Sequence, residues 1–324
     1  MSVHQNQMMM MVCEVNDMLQ NMRTTGEEEN ASPTCANCGE GEESSDSLKA
    51  CAACKMVKYC SRECQIAHRP KHKKECRKRA AELHDEKLFK HPPPKDEDCP
   101  ICFLRMPTIS TGRRYMSCCG KVICSGCFHA NAHIDLKKQL CPFCRTPAPF
   151  SKKENIERLN KRVEAGEAEA IYNKGGFFLD GEYGLPQDYA KALELWQRAG
   201  ELGYYKSYYN IGNAYYSGRG VEMDGKKGTH YFGIAAIRGD VDARHVLGCI
   251  EWNAGNMDRA RKHWMIAVRD GKSLNSVKRS FMDGHTTKED YSKALRAYQE
   301  YLNEVKSDQR DKAAALDNRY KYIE

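Results

Sequence analysis

The sequence predicts a mainly α protein, in which two small cysteine-stapled fingers, the second of α+β character, precede an α-solenoid of helix-turn-helix repeats. Fifteen of its 17 cysteines fall in two windows, residues 35–76 and 99–144. Beyond residue 151 cysteine nearly vanishes, and the sequence repeats with spacings of 32 to 36 residues. No window approaches the roughly 18 consecutive apolar residues that a membrane span needs.

The amino-terminal stretch lacks the positive flank and long apolar core of a secretory signal, which predicts an intracellular protein, cytoplasmic, nuclear or both. In a reducing compartment, clustered cysteines are more often metal ligands than disulfides. Cys13 and Cys249 stand outside the two windows and are expected to be spectator thiols. Residues 1–34 are rich in Met and then in Glu without a sustained period, so they are predicted to be a disordered segment.

The first cysteine window offers eight candidate ligands in four pairs. Two-residue gaps let a tight turn aim two thiolates at one ion, and residues four apart share one helical face. Eight donors saturate two tetrahedral zinc ions and leave no open position, which predicts structural rather than catalytic zinc. Spacing alone permits a sequential or an interleaved pairing. The pairs are Cys35 with Cys38, Cys51 with Cys54, Cys60 with Cys64, and His72 with Cys76.

The order of these ligands, with "KYC" and "CQIAH", resembles a MYND zinc finger over residues 35–76. MYND fingers typically bind short proline-containing peptides, in part through a Gln and a Trp. Gln65 matches the Gln and is a candidate partner-binding residue, whereas Arg69 stands in place of the Trp. The resemblance also implies an interleaved arrangement without His68: Cys35, Cys38, Cys60 and Cys64 on one ion, and Cys51, Cys54, His72 and Cys76 on the other.

Residues 68–79 (HRPKHKKECRKR) are strongly basic. A solvated helical face is the favoured interpretation, with phosphate contact or nuclear import as the alternative. No aromatic residues alternate with the cations, so nucleic-acid recognition is a minor hypothesis. Residues 77–98 are predicted to be a charged, proline-rich linker, helical in its first half and extended from Pro92–Pro94 onward.

The second window contains eight thiols, enough for two further zinc ions and about four in all. Through "CPIC" and "CPFCR" it resembles a RING finger, predicted to span residues 99–147. Lys121 stands where the family has a histidine ligand. Either the adjacent Cys118 and Cys119 both ligate, which we favour, or His129 or His133 completes the set. The resemblance implies Cys99, Cys102, Cys124 and Cys127 on one ion, with Cys141 and Cys144 on the other.

RING fingers of ubiquitin ligases do no covalent chemistry; they hold a ubiquitin-conjugating enzyme and favour a reactive conformation of its thioester. The family uses an apolar residue between the first two ligands and a basic residue after the last. Ile101 and Arg145 match these positions, and Pro142 would shape the same surface. Their simpler interpretation is that Ile101 is a small-core residue and Arg145 an exposed cation.

The repeats of residues 151–324 place four aromatic residues in register: Trp196, Phe232, Trp264 and Tyr298. Gly203, Gly239 and Gly271 each follow an aromatic by seven residues, where a helix would end on a left-handed residue. A period in the thirties with paired helices is typical of an α-solenoid. The stretch resembles Sel-one-like repeats, relatives of tetratricopeptide repeats, over residues 168–307. Polar helices are expected to cap both ends of this helical repeat.

These patterns favour a zinc-binding protein-protein interaction scaffold, with proteins or peptides as partners and no catalytic residue. The alternative is a RING-type ubiquitin ligase that recruits a ubiquitin-conjugating enzyme, with the solenoid or the MYND-like finger as substrate reader. Aromatic residues at repeat spacing are far more often core than ligand cage, so they do not identify the client.

Overall fold

The computed structural model describes residues 34–39, 48–90, 98–134 and 140–323. The predicted disordered segment, apart from Thr34, and the linker prolines lie outside these residues. Two compact units divide the chain, Met1–Asp85 and Glu86–Glu324. The predicted mainly α fold, with small cysteine-rich fingers ahead of a helical solenoid, is confirmed.

The first unit contains a two-stranded antiparallel sheet and most of a long helix. Strand β1 (Lys49–Ala50) pairs with β2 (Lys58–Tyr59), and helix α1 (Arg62–Phe89) follows. The buried core of this unit consists of Tyr59 and three cysteines, Cys35, Cys51 and Cys54. One tyrosine is too small an apolar core to offset the ordering entropy of such a segment, so its fold depends on what the cysteines hold.

The second finger begins the other unit. A 3-10 turn (Ser110–Gly112) leads into β3 (Arg113–Met116), which pairs antiparallel with β4 (Lys121–Cys124), and helix α2 (Ser125–Ile134) follows directly. Ile123 and Met106 are buried among Cys99, Cys124 and Cys127. Sheet, helix and cysteines therefore form one small α+β core.

Ten further α-helices follow within the described residues. Their bounds are α3 (Lys152–Glu164), α4 (Ala168–Asp180), α5 (Tyr189–Glu201), α6 (Ser207–Ser217), α7 (Gly225–Ile237), α8 (Val241–Asn253), α9 (Met257–Ile266), α10 (Gly271–Met282), α11 (Lys288–Val305) and α12 (Asp308–Leu316). Each helix from α3 to α10 packs against the next one along the chain. In each of the first three hairpins, an aromatic residue of one helix packs against a glycine of the other.

Three of the aromatic residues predicted to lie in register pack closely against a glycine of the neighbouring helix. A Cβ added at Gly175 would lie 2.6 Å from Nε1 of Trp196, and one at Gly212 would lie 2.7 Å from the ring of Phe232. Gly248 meets Trp264 in the same way. These glycines recur in α4, α6 and α8, so these three hairpins bring their two helices into contact in the same way.

The turns between hairpins follow the prediction at two of three glycines. Gly203 and Gly239 have left-handed φ values of +91° and +95°. Gly271 was expected to end a helix, but it begins α10, because Asp270 caps that helix by accepting a hydrogen bond from the amide of Lys272. Gly255 and Gly284 supply further short left-handed turns, between α8 and α9 and between α10 and α11.

The trailing helix is not a solvent-facing cap. Arg310, Ala313 and Tyr322 are buried, because α12 and the residues after it pack against α2 of the second finger. Within the described part of the chain, every helix is too short or too polar to span a bilayer.

Candidate metal centres

The donor atoms of Cys35, Cys38, Cys60 and Cys64 all lie within 4.8 Å of one another. Cys35 bridges to Lys58 of β2, Cys60 follows β2, and Cys64 is in the first turn of α1. The Sγ of Cys60 is 3.5 Å from the Sγ of Cys38 and 3.5 Å from that of Cys64. Strand β2 and helix α1 thus bring the four thiols together at one point.

A second group joins Cys51, Cys54, His72 and Cys76. The Sγ of Cys51 is 3.7 Å from that of Cys76, and the Sγ of Cys54 is 3.2 Å from Nε2 of His72. His68 lies outside the group, with its Nδ1 3.1 Å from the hydroxyl of Tyr59. The two groups are interleaved along the chain, as the MYND resemblance implies, and not sequential.

In the second finger, the interleaved pattern recurs. Cys99, Cys102, Cys124 and Cys127 form one group, with the Sγ atoms of Cys102 and Cys124 3.9 Å apart. Main-chain amides of Cys124 and Cys127 donate to the sulfurs of Cys99 and Cys124 at 3.4 Å each. Such amide donors stabilise thiolates, the form that zinc requires.

The last group contains both adjacent cysteines. Cys118, Cys119, Cys141 and Cys144 have their sulfurs within 4.8 Å of one another. The Sγ of Cys119 is 3.8 Å from that of Cys141, and the Sγ of Cys118 is 3.5 Å from that of Cys144. His129, by contrast, packs against the ring of Tyr320, and the side chain of His133 is outside the described residues. Lys121 is exposed, with its ammonium 5.6 Å from the ring centre of Phe143.

The spacing of the donors suits tetrahedral zinc. Zinc–sulfur bonds of about 2.3 Å place the sulfurs of a tetrahedron about 3.8 Å apart. The six sulfur–sulfur distances given above run from 3.5 to 3.9 Å, and all donor atoms of each group lie within 4.8 Å of one another. The four clusters are therefore suited to about four zinc ions.

The local electrostatics of the thiols are uneven. Main-chain amides of Cys38 and Cys60 lower the pKa of Cys35 to about 6, while hydrogen bonds to Cys35 and Cys38 raise the pKa of Cys60 to about 12. Hydrogen bonds from Cys102 and Cys127 lower the pKa of Cys124 to about 6. Some sulfurs in a cluster thus ionise readily, while their neighbours must lose a proton when a cation arrives.

Four Cys-x-x-Cys turns share one backbone device that the sequence did not reveal. The residue after the second cysteine adopts a left-handed φ of +58° to +76°, and its amide donates to the carbonyl of the first cysteine at 2.8 to 3.0 Å. Only one of these positions is a glycine. The four residues are Gly39, Lys55, Phe103 and Arg145.

Two solenoid arginines bind the second finger through its main chain. The guanidinium of Arg310 donates to the carbonyls of Arg105 and Val305 at 2.8 and 2.6 Å. From the other end of the array, Arg162 donates to the carbonyls of Ser117 and Cys118 at 2.9 and 2.7 Å. The finger is therefore held by both α3 and α12.

The candidate partner-binding residues differ in burial. Ile101 is half-buried and packs on the core of the second finger, which favours its small-core interpretation. Pro142 is half-buried and Arg145 exposed at the last Cys-x-x-Cys turn. Gln65 is exposed on α1, one helical turn before the exposed Arg69.

Comparison with known families assigns the first finger and the first repeats. The MYND finger family matches residues 35–76, and the Sel1 repeat family matches residues 168–204 and 206–240. The chain carries a MYND finger and Sel1 repeats. Both matches fall where the interleaved donors and the first glycine–aromatic hairpins lie.

Three curated relatives are short matches. The E3 ubiquitin-protein ligase DA2 of Arabidopsis thaliana is 42% identical over 52 residues, which cover 16% of this chain and 12% of that protein. The E3 ubiquitin-protein ligase GW2 of Oryza sativa subsp. indica, and that of subsp. japonica, are 43% identical over 54 residues, again 12% of their length. The chain thus spans about an eighth of the relatives it matches.

Two solved structures are similar to part of the chain. One is a Sel1 repeat protein from Oxalobacter formigenes, 24% identical, with a TM-score of 0.41 and coverage of 51% of this chain and 64% of that one. The other is c5321, described as a protective antigen of uropathogenic Escherichia coli strains, also 24% identical, with a TM-score of 0.40 and coverage of 52% and 37%.

Proposed function

We propose that this protein is a zinc-dependent protein-interaction scaffold, in which the metal provides folding rather than turnover. The observation that carries this proposal is the composition of the four clusters, each of which brings together four sulfur or imidazole donors. Four such ligands fill the coordination of tetrahedral zinc, so a bound ion would have no position for an activated water or a substrate.

The Sel1 repeats supply the partner-binding surface in this proposal. Stacked helical hairpins expose long faces built from successive repeats, and such surfaces suit recognition of protein segments. The MYND finger offers a second surface around Gln65, where Arg69 replaces the aromatic residue of the family pattern. Partner binding at this finger therefore depends on polar contacts more than on proline stacking.

A RING-type ubiquitin ligase has less support. The ligase relatives share only 52 to 54 residues with the chain, and Lys121 occupies the histidine position of the RING pattern. Under this alternative, Ile101, Pro142 and Arg145 would contact a ubiquitin-conjugating enzyme. Of these, the side chain of Ile101 is engaged in the core of the finger.

Native mass spectrometry of the full chain tests the role of the metal. We expect about four zinc ions per chain, about three in Cys99→Ser, and about four in the matched control Cys249→Ser, whose thiol is outside every cluster. Exhaustive chelation should unfold both fingers. Full helical and thermal order without zinc would contradict the proposal.

An autoubiquitination assay with a panel of conjugating enzymes separates scaffold from ligase. We expect no ubiquitin transfer at any enzyme of the panel. Transfer that is lost in both Ile101→Ala and Arg145→Ala, with zinc content unchanged, would replace the scaffold proposal by the ligase alternative.

A further inference from the structure

The first turn of α12 lies directly against one ligand group of the second finger. We call this group, formed by Cys99, Cys102, Cys124 and Cys127, the Cys99 cluster. A Cβ added at Gly126, between two of the ligands, would lie 2.8 Å from the main-chain nitrogen of Arg310 and 3.0 Å from the carbonyl carbon of Gln309. The Oε1 of Gln309 is 3.9 Å from the Sγ of Cys127. Helix and ligands therefore touch with no room for a side chain between them.

Arg310 brings a guanidinium into this contact. The residue is 0% exposed, and its Nη2 donates to the Sγ of Cys102 at 3.8 Å. Its Nη1 donates to the carbonyls of Arg105 and Val305 at 2.8 and 2.6 Å. These carbonyls fix the orientation of the guanidinium, so that its positive charge is held beside the sulfurs of the cluster.

Arg310 forms no ion pair with a carboxylate of the described residues. The acidic side chains around it are engaged elsewhere or face solvent. Asp311 accepts a hydrogen bond from a tyrosine hydroxyl at 2.5 Å, and Asp308 is exposed. Glu304 pairs with Arg105. The charge of Arg310 is therefore directed at the cysteines and not at an acid of its own helix.

Zinc bound in the Cys99 cluster would give a site with a net negative charge, because four thiolates exceed the charge of one divalent ion. Three of these ligands, Cys99, Cys124 and Cys127, are buried. A buried charge needs an opposite charge close by to offset its desolvation. The guanidinium of Arg310 lies where such a charge is needed, and the amino-terminal end of α12 adds a partial charge of the same sign.

The other cluster of the second finger meets its arginine differently. Arg162 donates to the carbonyls of Ser117 and Cys118, so it makes as many main-chain contacts as the Nη1 of Arg310 does. Its guanidinium, however, also donates to both carboxylate oxygens of Glu167, at 2.6 and 2.8 Å. The charge of Arg162 is therefore matched within the protein, which makes this residue a natural control for Arg310.

We propose that Arg310 is the counter-cation of zinc in the Cys99 cluster, so that metal binding and the docking of α12 stabilise each other. This inference rests on the proposed role of zinc in folding and adds that the last helix of the solenoid takes part in holding the metal. The coupling is reciprocal: the factor by which docked α12 tightens zinc binding is the factor by which zinc tightens the docking.

Chelator titration of the full chain, measured by cysteine labelling, tests the inference. The zinc-loaded chain is equilibrated with increasing EDTA, labelled with iodoacetamide and mapped by peptide mass spectrometry. Labelling of Cys102 and Cys127 reports on the Cys99 cluster, and labelling of Cys51 and Cys54 in the first finger is the internal reference. We expect Arg310→Gln to lower the EDTA concentration for half-labelling of the Cys99 cluster by about tenfold or more, since loss of a group that contacts a metal ligand typically costs about 10–100-fold in metal affinity.

Arg310→Lys separates the charge from the hydrogen bonds. Lysine keeps the positive charge but lacks the planar fork that contacts several acceptors at once, so we expect half-labelling within about threefold of the unaltered chain. Equal weakening in Arg310→Gln and Arg310→Lys would reduce the residue to a support for the main chain and would overturn the inference. So would unchanged half-labelling in Arg310→Gln.

Arg162→Gln is the matched control, because it also loses two contacts with main-chain carbonyls of the finger. It should shift half-labelling of the Cys99 cluster by less than about twofold. A shift as large as that of Arg310→Gln would indicate general loosening of the finger and overturn the inference.

Circular dichroism before chelation checks that each variant folds. If Arg310→Gln does not fold, Arg310→Lys decides alone, and a tenfold loss of zinc retention in that variant overturns the inference. The number of zinc ions that native mass spectrometry counts in the unaltered chain does not depend on these outcomes. This inference can therefore fail while the scaffold proposal stands.

Discussion

Gly212 of α6 lies directly against Phe232 of α7, so that a Cβ at Gly212 would meet two ring carbons at 2.7 Å. We expect Gly212→Ala to destabilise the protein by about 2 kcal/mol, because the added methyl group would overlap the buried ring and force the ring or the adjacent helix to shift. Chemical denaturation monitored by circular dichroism measures the change.

The matched control for this prediction is Gly233→Ala in α7. That glycine is also helical, but no atom lies within 4 Å of the added Cβ. We expect it to be neutral or to stabilise the chain by about 0.5–1 kcal/mol, since alanine is the better helix former. Similar losses in both variants would show that the glycine–aromatic contact is not the cause.

The left-handed position of the zinc-binding turns predicts a stabilising substitution. Lys55 has a φ of +59°, which costs a residue with a Cβ about 1–2 kcal/mol. Lys55→Gly should therefore raise the unfolding free energy of the MYND finger by about 0.5–1 kcal/mol. Lys55→Ala removes the same side chain and keeps the Cβ, so it should give no gain; thermal unfolding of the zinc-loaded chain compares the two.

The hydrogen bonds of Arg310 predict that the second finger and the solenoid unfold together. Arg310→Ala removes the donors to the carbonyls of Arg105 and Val305 and should cost about 3 kcal/mol, because buried carbonyls lose their partners. Arg319→Ala, at an exposed side chain nearby, should cost less than about 0.5 kcal/mol. Limited proteolysis should then cut Arg310→Ala, and not Arg319→Ala, on both sides of the contact; protection of the solenoid alone would refute the coupling.

The raised pKa of Asp240 predicts that the stability of the folded chain falls as pH rises towards neutrality. Burial, reinforced by the neighbouring Asp242, raises the pKa of Asp240 from 3.8 to about 7. The folded chain then holds a proton that the unfolded chain has released, so this carboxyl contributes less stability as pH rises from about 4 to about 7. Asp240→Asn keeps an acceptor for the amide of Ala243 and removes the ionisation.

Urea unfolding between about pH 6 and pH 7.5, where zinc stays bound, measures this effect. The unaltered chain should lose up to about 1.4 kcal/mol per pH unit relative to Asp240→Asn. Asp224→Asn at the more exposed cap of α7 serves as the control for losing a cap carboxylate. Parallel pH profiles for the unaltered chain and Asp240→Asn would contradict the prediction.

The donor groups could be predicted from the sequence because their geometry is local. A Cys-x-x-Cys turn or a pair four residues apart on a helix fixes two ligands at once, and the register of Trp196 and Phe232 follows from one repeat period. The interleaving of the pairs needed the family resemblance, since both pairings satisfy the same local spacing.

What the sequence could not reveal depends on contacts between distant residues. Nothing near Arg310 indicates that the trailing helix packs on a finger some 200 residues earlier, and its polar composition suggested solvent instead. Gly271 was misassigned because the adjacent Asp270 is a stronger signal for a helix start than glycine is for a helix end. The left-handed Lys55 and Phe103 carry no compositional signal at all.

The separation of 205 residues between Arg105 and Arg310 has a consequence for synthesis. At about 5–20 residues per second, a ribosome takes on the order of 10–40 s to travel from one to the other. Once Cys144 has been made, the nascent finger has all its ligands and can load its metal, but for the rest of that interval it lacks the helix that covers its side. Folding therefore ends when α12 docks on the finger, a step that an incomplete translation product lacking this helix cannot take. Such fragments would expose the uncovered side of the finger to quality-control factors.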